Sequence, residues 1–225
     1  MFLDPTYLLI MVVSVGLGFA TQAYIKSTFR KWSHVPLSTG RSGADVARAI
    51  LNSSGLSGVE IVAVPGELTD HYDPRSKKLA LSEAVYAQPS VAAAGVAAHE
   101  AGHAIQDEQG YVWGKVRTSL VPVVNFGSSS AGILILLGLF TSITGLLWLG
   151  IIAYSFAVLF QLVTLPVEFD ASKRAIANLE TIGMVSPDQI SGARQVLNAA
   201  ALTYVAAALI SLLNLVYYFG LARRD

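Results

Sequence analysis

Three residues set the chemistry this chain can do. His99, Glu100 and His103 stand in HEAGH, inside the run SVAAAGVAAHEAGHAIQDEQG. On a helix, residues four apart lie one turn apart on one face, so two neutral imidazoles at this spacing can bind a single Zn²⁺ without backbone strain. Glu100 projects about 100° further round the helix. From there its carboxylate can serve as general base to a water at the metal instead of as a ligand. The alternative is a chance match on an ordinary helix. Against it, two of only four histidines in the chain flank a glutamate at helical spacing.

The element that must position them reads as a helix over residues 90–107. Ser90 follows Pro89 and can cap its start, alanine fills the interior, and Gly110 lies past its end. Ala94, Gly95, Ala97, Ala98, Ala101 and Gly102 leave little side-chain bulk, so neighbouring backbone can approach closely.

Composition places this helix in a membrane protein. Charged residues are 13% of the 225-residue chain and hydrophobic residues 53%, against about 25% charged in a soluble domain. The charge deficit is concentrated in long apolar runs. Absence of cysteine excludes disulfides and thiolate metal sites and fits a reducing compartment. Balanced charge and the lack of a basic, aromatic-laced patch argue against a nucleic-acid partner.

Residues 7–24 are long enough to cross a bilayer. They look superficially like a signal peptide, but Asp4 precedes them, no A-x-A site follows, and Lys26, Arg30 and Lys31 come directly after. The reading is an uncleaved first span, residues 1–25. Residues 26–118 read as a small α+β region: a helix opened by Ser42–Asp45 and stopped at Gly55, a strand over 58–64, and a hairpin pairing 69–72 with 78–82 around Asp73-Pro74-Arg75-Ser76. His71 and Tyr72 lie in its first arm. They read either as ordinary surface residues, or as groups on a substrate edge that polarise a scissile carbonyl.

Residues 119–165 hold no charge and are too long for one span, so they read as a transmembrane hairpin broken at 141–145. Pro166 can start the next helix, and Ser186-Pro187-Asp188-Gln189 is a capping box for another. These occupy residues 166–198, and the fourth span with its tail fills 199–225. The fold class expected is an α-helical integral membrane protein of four transmembrane helices with a small α+β region that carries the HEAGH helix.

A catalytic zinc usually has three protein ligands. A hairpin returns the chain to the membrane face it left, which brings residues just after it to the side of His103. Glu168 and Asp170 stand there, pointing about 200° apart on one helix, so only one can face the metal. Glu168 is favoured and Asp170 is its nearest rival. Ser172, four residues beyond Glu168, shares its face and can support a histidine from behind. Two interfacial carboxylates solvating the end of a span are the plainer alternative. Carboxylates abutting a membrane segment are costly, which favours function.

HEAGHAIQ, the preceding LTDHYDPRSKKLALSEAVY and the later LPVEFDASKRA together resemble the neutral zinc metallopeptidases of bacterial membranes, the YugP-like type. More distantly, the layout is similar to HtpX-like and prenyl-protein-processing membrane gluzincins. The resemblance implies that the α+β region is a gluzincin-like zinc peptidase region, with one zinc per chain bound by His99, His103 and Glu168, and Glu100 as base. Where the distant relatives commonly carry an aspartate four residues after the ligand glutamate, this chain has Ser172.

The expected function is a zinc metalloendopeptidase acting on protein or peptide substrates, membrane proteins among them. Alternatives are a site-2-type intramembrane protease, for which a suitable Asp-Gly pair is missing, and a non-catalytic zinc scaffold, for which Glu100 is superfluous. Ten of the fifteen basic residues lie between the first and second spans. The positive-inside rule then puts the site at the cytoplasmic face of the cell membrane, with both termini outside.

Overall fold

The computed structural model describes residues 4–223. Among the described residues, four helices are long and apolar enough to cross a membrane: α1 (Pro5–Ser33), α5 (Val112–Thr141), α6 (Thr144–Ile182) and α7 (Pro187–Ala222). Between α1 and α5 lie α2 (Gly43–Ser53), β1 (Glu60–Val64), β2 (His71–Asp73), β3 (Lys78–Ser82), α3 (Glu83–Tyr86) and α4 (Val91–Glu108). The architecture is mainly helical with one small sheet. The chain divides into two compact units.

One unit comprises the residues up to Thr21, Val112–Pro166, and those from Thr203. Small residues let its helices approach closely. A Cβ added at Gly138 would lie 2.5 Å from the Leu147 nitrogen, and one at Gly150 2.8 Å from that of Ile135. Ile135, Leu147, Ile151 and Ala222 form its buried cluster. Large apolar side chains such as Phe19, Phe126 and Phe140 stay exposed, the kind of surface that lipid covers.

The other unit comprises Gln22–Tyr111 and Val167–Leu202. Its sheet has the order β1-β3-β2, with β1 parallel to β3 and β2 antiparallel to it. The hairpin is shorter at its first arm than expected: pairing starts at His71↔Ala80. Asp70 explains this, because its carboxylate accepts from the Ser82 amide at 2.7 Å and so takes the place of a main-chain partner. At the turn Asp73 accepts from the Arg75 amide and the Ser76 hydroxyl. The Ser42–Asp45 capping box closes reciprocally, and Gly55 follows α2 with φ 76°.

Three local expectations are corrected. The first helix runs past residue 25 to Ser33. Pro166 does not start a helix; it lies inside the 39 residues of α6. A proline there removes one amide donor, and strong helical segments on both sides carry the helix through. Gln189 does not close a capping box, because its amide donates to the Pro36 carbonyl at 2.8 Å and accepts from the Ser38 amide. A partner distant in sequence outcompetes the local cap.

The core of this unit is built on α4. Val91, Ala93, Ala94, Ala97, Ala98 and Ala101 are buried with Val46, Ile50 and Leu51 of α2, Leu79 and Leu81 of β3, and Ala175 and Leu179 of α6. With α4 buried nearly all round, its alanines are what allow neighbours on every side.

Candidate metal centre

Ser90 caps α4, its hydroxyl accepting from the Ala93 amide at 3.1 Å, and Gly110 ends the helix with φ 64°. That fixes the phase in which His99, Glu100 and His103 leave the helix. On the facing element, α6 presents Glu168. Gly102 makes the approach possible: a Cβ there would meet the Ala171 carbonyl oxygen at 2.8 Å.

At this junction Glu168 Oε2 lies 3.2 Å from His99 Nε2 and 3.6 Å from His103 Nε2. The three donor atoms all fall within 4.8 Å of one another. Donors around a tetrahedral zinc with bonds of about 2.0–2.2 Å sit about 3.3–3.6 Å apart. The two imidazoles and the carboxylate therefore fit that ion in chemical type, and both separations from the carboxylate lie close to its spacing. Among the described residues neither Asp170, His34 nor His71 belongs to this group. Glu168 is only 2% exposed, so its charge needs these facing partners. Burial works against a proton on His103, but the Glu168 carboxylate and then Glu100 outweigh it and raise the ring above its ordinary pKa. A site that so favours positive charge suits a divalent cation.

Glu100, one residue on from His99, is buried at 7% exposure, and its charge acts on His103. Behind the rings stand two further contacts. Ser172 Oγ lies 3.2 Å from His99 Nδ1. Gln106 Oε1 lies 3.0 Å from His103 Nδ1. Asp170 turns away to Gln106 Nε2 at 2.8 Å and to Arg174. Gln106 was missed in the sequence; its position three residues after His103, on the same helical face, is the signal that could have found it.

His71 and Tyr72 are placed on β2, an edge strand. Tyr72 donates its hydroxyl to Asp107 Oδ2 at 2.9 Å, tying β2 to the end of α4. Burial and that carboxylate push the Tyr72 pKa upward, so it stays a donor. His71 is exposed, with Nδ1 2.8 Å from the Thr69 carbonyl oxygen.

Residues 7–223 match the family described as "Putative neutral zinc metallopeptidase". The chain belongs to this family. It is also similar to a protein of Bacillus subtilis (strain 168) named "Putative membrane protease YugP", with 46% identity over 212 residues, covering 94% of each chain. No solved structure matches the chain. The family implies zinc, and His99, His103 and Glu168 form the site that could take it. The membrane relative and the four apolar helices support location in a membrane.

Proposed function

We propose that this protein is a zinc-dependent membrane endopeptidase that hydrolyses peptide bonds at the cytosolic membrane face. The observation that carries the reading is the convergence of His99, His103 and Glu168 donor atoms on one point, with Glu100 on the same turn of α4. One zinc per chain would be held by His99, His103 and Glu168, supplying Lewis acidity that lowers the pKa of a water and polarises the scissile carbonyl. Glu100 accepts the proton of the attacking water and passes it to the leaving amine. Ser172 and Gln106 hold the outer nitrogens of the two rings, which keeps the inner nitrogens aimed inward.

A three-residue donor set supports catalysis over a structural site, which would close the fourth position with protein. The free side of β2 can take an extended protein or peptide substrate by strand pairing. His71 is then the candidate for polarising the carbonyl, since the Tyr72 hydroxyl is occupied by Asp107. The cytosolic placement follows from the concentration of lysine and arginine between the first two spans.

The test is Glu100→Gln in the purified full-length protein. It should keep its zinc and its helical content and lose peptide hydrolysis, because a base is removed and not a ligand. Turnover equal to the parent's would reject the mechanism. Membrane proteins retained on the inactive variant in cells would identify the substrate class.

A further inference from the structure

We infer that Gln106 positions His103 for metal binding, through a side-chain amide that α6 locks so that only its carbonyl oxygen faces the ring. The inference rests on the zinc-peptidase reading above. Gln106 is 3% exposed. Its Nε2 donates to the Val167 carbonyl and to Asp170 Oδ2, both at 2.8 Å. An amide nitrogen carries two hydrogens, so both are used. Turning the amide over would set its oxygen against two acceptors. Oε1 must therefore face His103 Nδ1, 3.0 Å away, and Nδ1 must carry the hydrogen between them.

That assignment decides the other nitrogen. With the hydrogen on Nδ1, the lone pair of His103 lies on Nε2, the atom 3.6 Å from Glu168 Oε2 and on the metal side. The opposite tautomer would aim a hydrogen at the cation. The lock has its own support. Arg174 pairs with Asp170, and its second nitrogen donates to Gln109 Oε1 at 2.6 Å. His99 is held differently: the Ser172 hydroxyl at its outer nitrogen can donate or accept, and so specifies no tautomer. Gln106 touches neither substrate nor reacting atoms. It is a positioning residue, acting through His103.

Two variants of the full chain separate this role from simple tying of α4 to α6. Gln106→Met and the pair Gln106→Glu with Asp170→Asn both lose the two bonds that Gln106 donates, but only the pair keeps an acceptor at His103, and its asparagine spares the new carboxylate a facing one. Zinc affinity, read by competition with a chelator, should fall about 10–100-fold in Gln106→Met and stay close to the parent's in the pair. Equal weakening in both would show that Gln106 serves only as a tie, and an unchanged Gln106→Met would remove any role; either result overturns the inference. A parent protein that takes up no zinc would instead sink the zinc reading itself. A measurement on the parent covers the case of a variant that does not fold. With isotope-labelled histidine in the zinc-loaded protein, magnetic resonance should show a His103 Nδ1 proton shielded from exchange with water. Rapid exchange there would overturn the lock.

Discussion

Each residue at the junction of α4 and α6 has a separable task. His99→Ala, His103→Ala and Glu168→Ala should each abolish zinc retention after dialysis, because a site of three protein ligands does not survive loss of one. Asp170→Ala should still bind one zinc, more weakly, since its carboxylate accepts from Gln106 and lies outside the three-donor group. Complete zinc loss in Asp170→Ala together with retention in Glu168→Ala would reverse the assignment. Removal of the metal by a chelator should abolish peptide hydrolysis, and added zinc should restore it. Activity that survives chelation would place the chemistry elsewhere.

At the scale of elements, the site depends on how closely two helices approach and on where α4 begins. Gly102→Ala adds a methyl 2.8 Å from the Ala171 carbonyl oxygen. Backbone cannot swing aside as a side chain can, so α4 and α6 must part. Overpacking of this kind costs about 1–3 kcal/mol, and Ala171 immediately precedes Ser172, which contacts His99. A lower unfolding midpoint and weakened zinc binding should appear together in this variant; unchanged values in both would show that the approach is not needed. Ser90→Ala removes only a cap and should cost about 1 kcal/mol with zinc affinity retained. Denaturant unfolding of the two variants compares a loss of stability at the site with one remote from it.

At the scale of the whole molecule, the question is which side of the membrane the site faces. Three more basic residues, Lys173, Arg174 and Arg194, lie between the third and fourth spans, while Arg223 and Arg224 are the two assigned to the opposite side. With a cytosolic site, an impermeant thiol reagent applied to intact cells should label Thr141→Cys and spare Ser76→Cys. The chain has no native cysteine to interfere. Labelling of Ser76→Cys with protection of Thr141→Cys would invert the topology.

Much of this protein is determined locally and can be read along the chain. Helical spacing puts His99 and His103 on one face whatever surrounds them, and Ser90 and Gly110 mark the ends of α4 by cap chemistry that needs only neighbouring residues. The apolar runs are legible because the length needed to cross a bilayer is a property of the run itself. What tertiary structure decided involves competition between partners far apart in sequence. Gln189 bonds Pro36 and Ser38 in place of its own helix end, Asp70 replaces a main-chain partner at Ser82, and β1 pairs in parallel with β3 and not with β2, the next strand in the chain. Residue spacing could offer both Glu168 and Asp170 as the third donor. The choice between them rests on the rotation of α6 against α4, which brings Glu168 to the rings and leaves Asp170 with Gln106 and Arg174. That rotation is set by close packing at Gly102 and Ala171, a contact between residues with no local signal of their meeting.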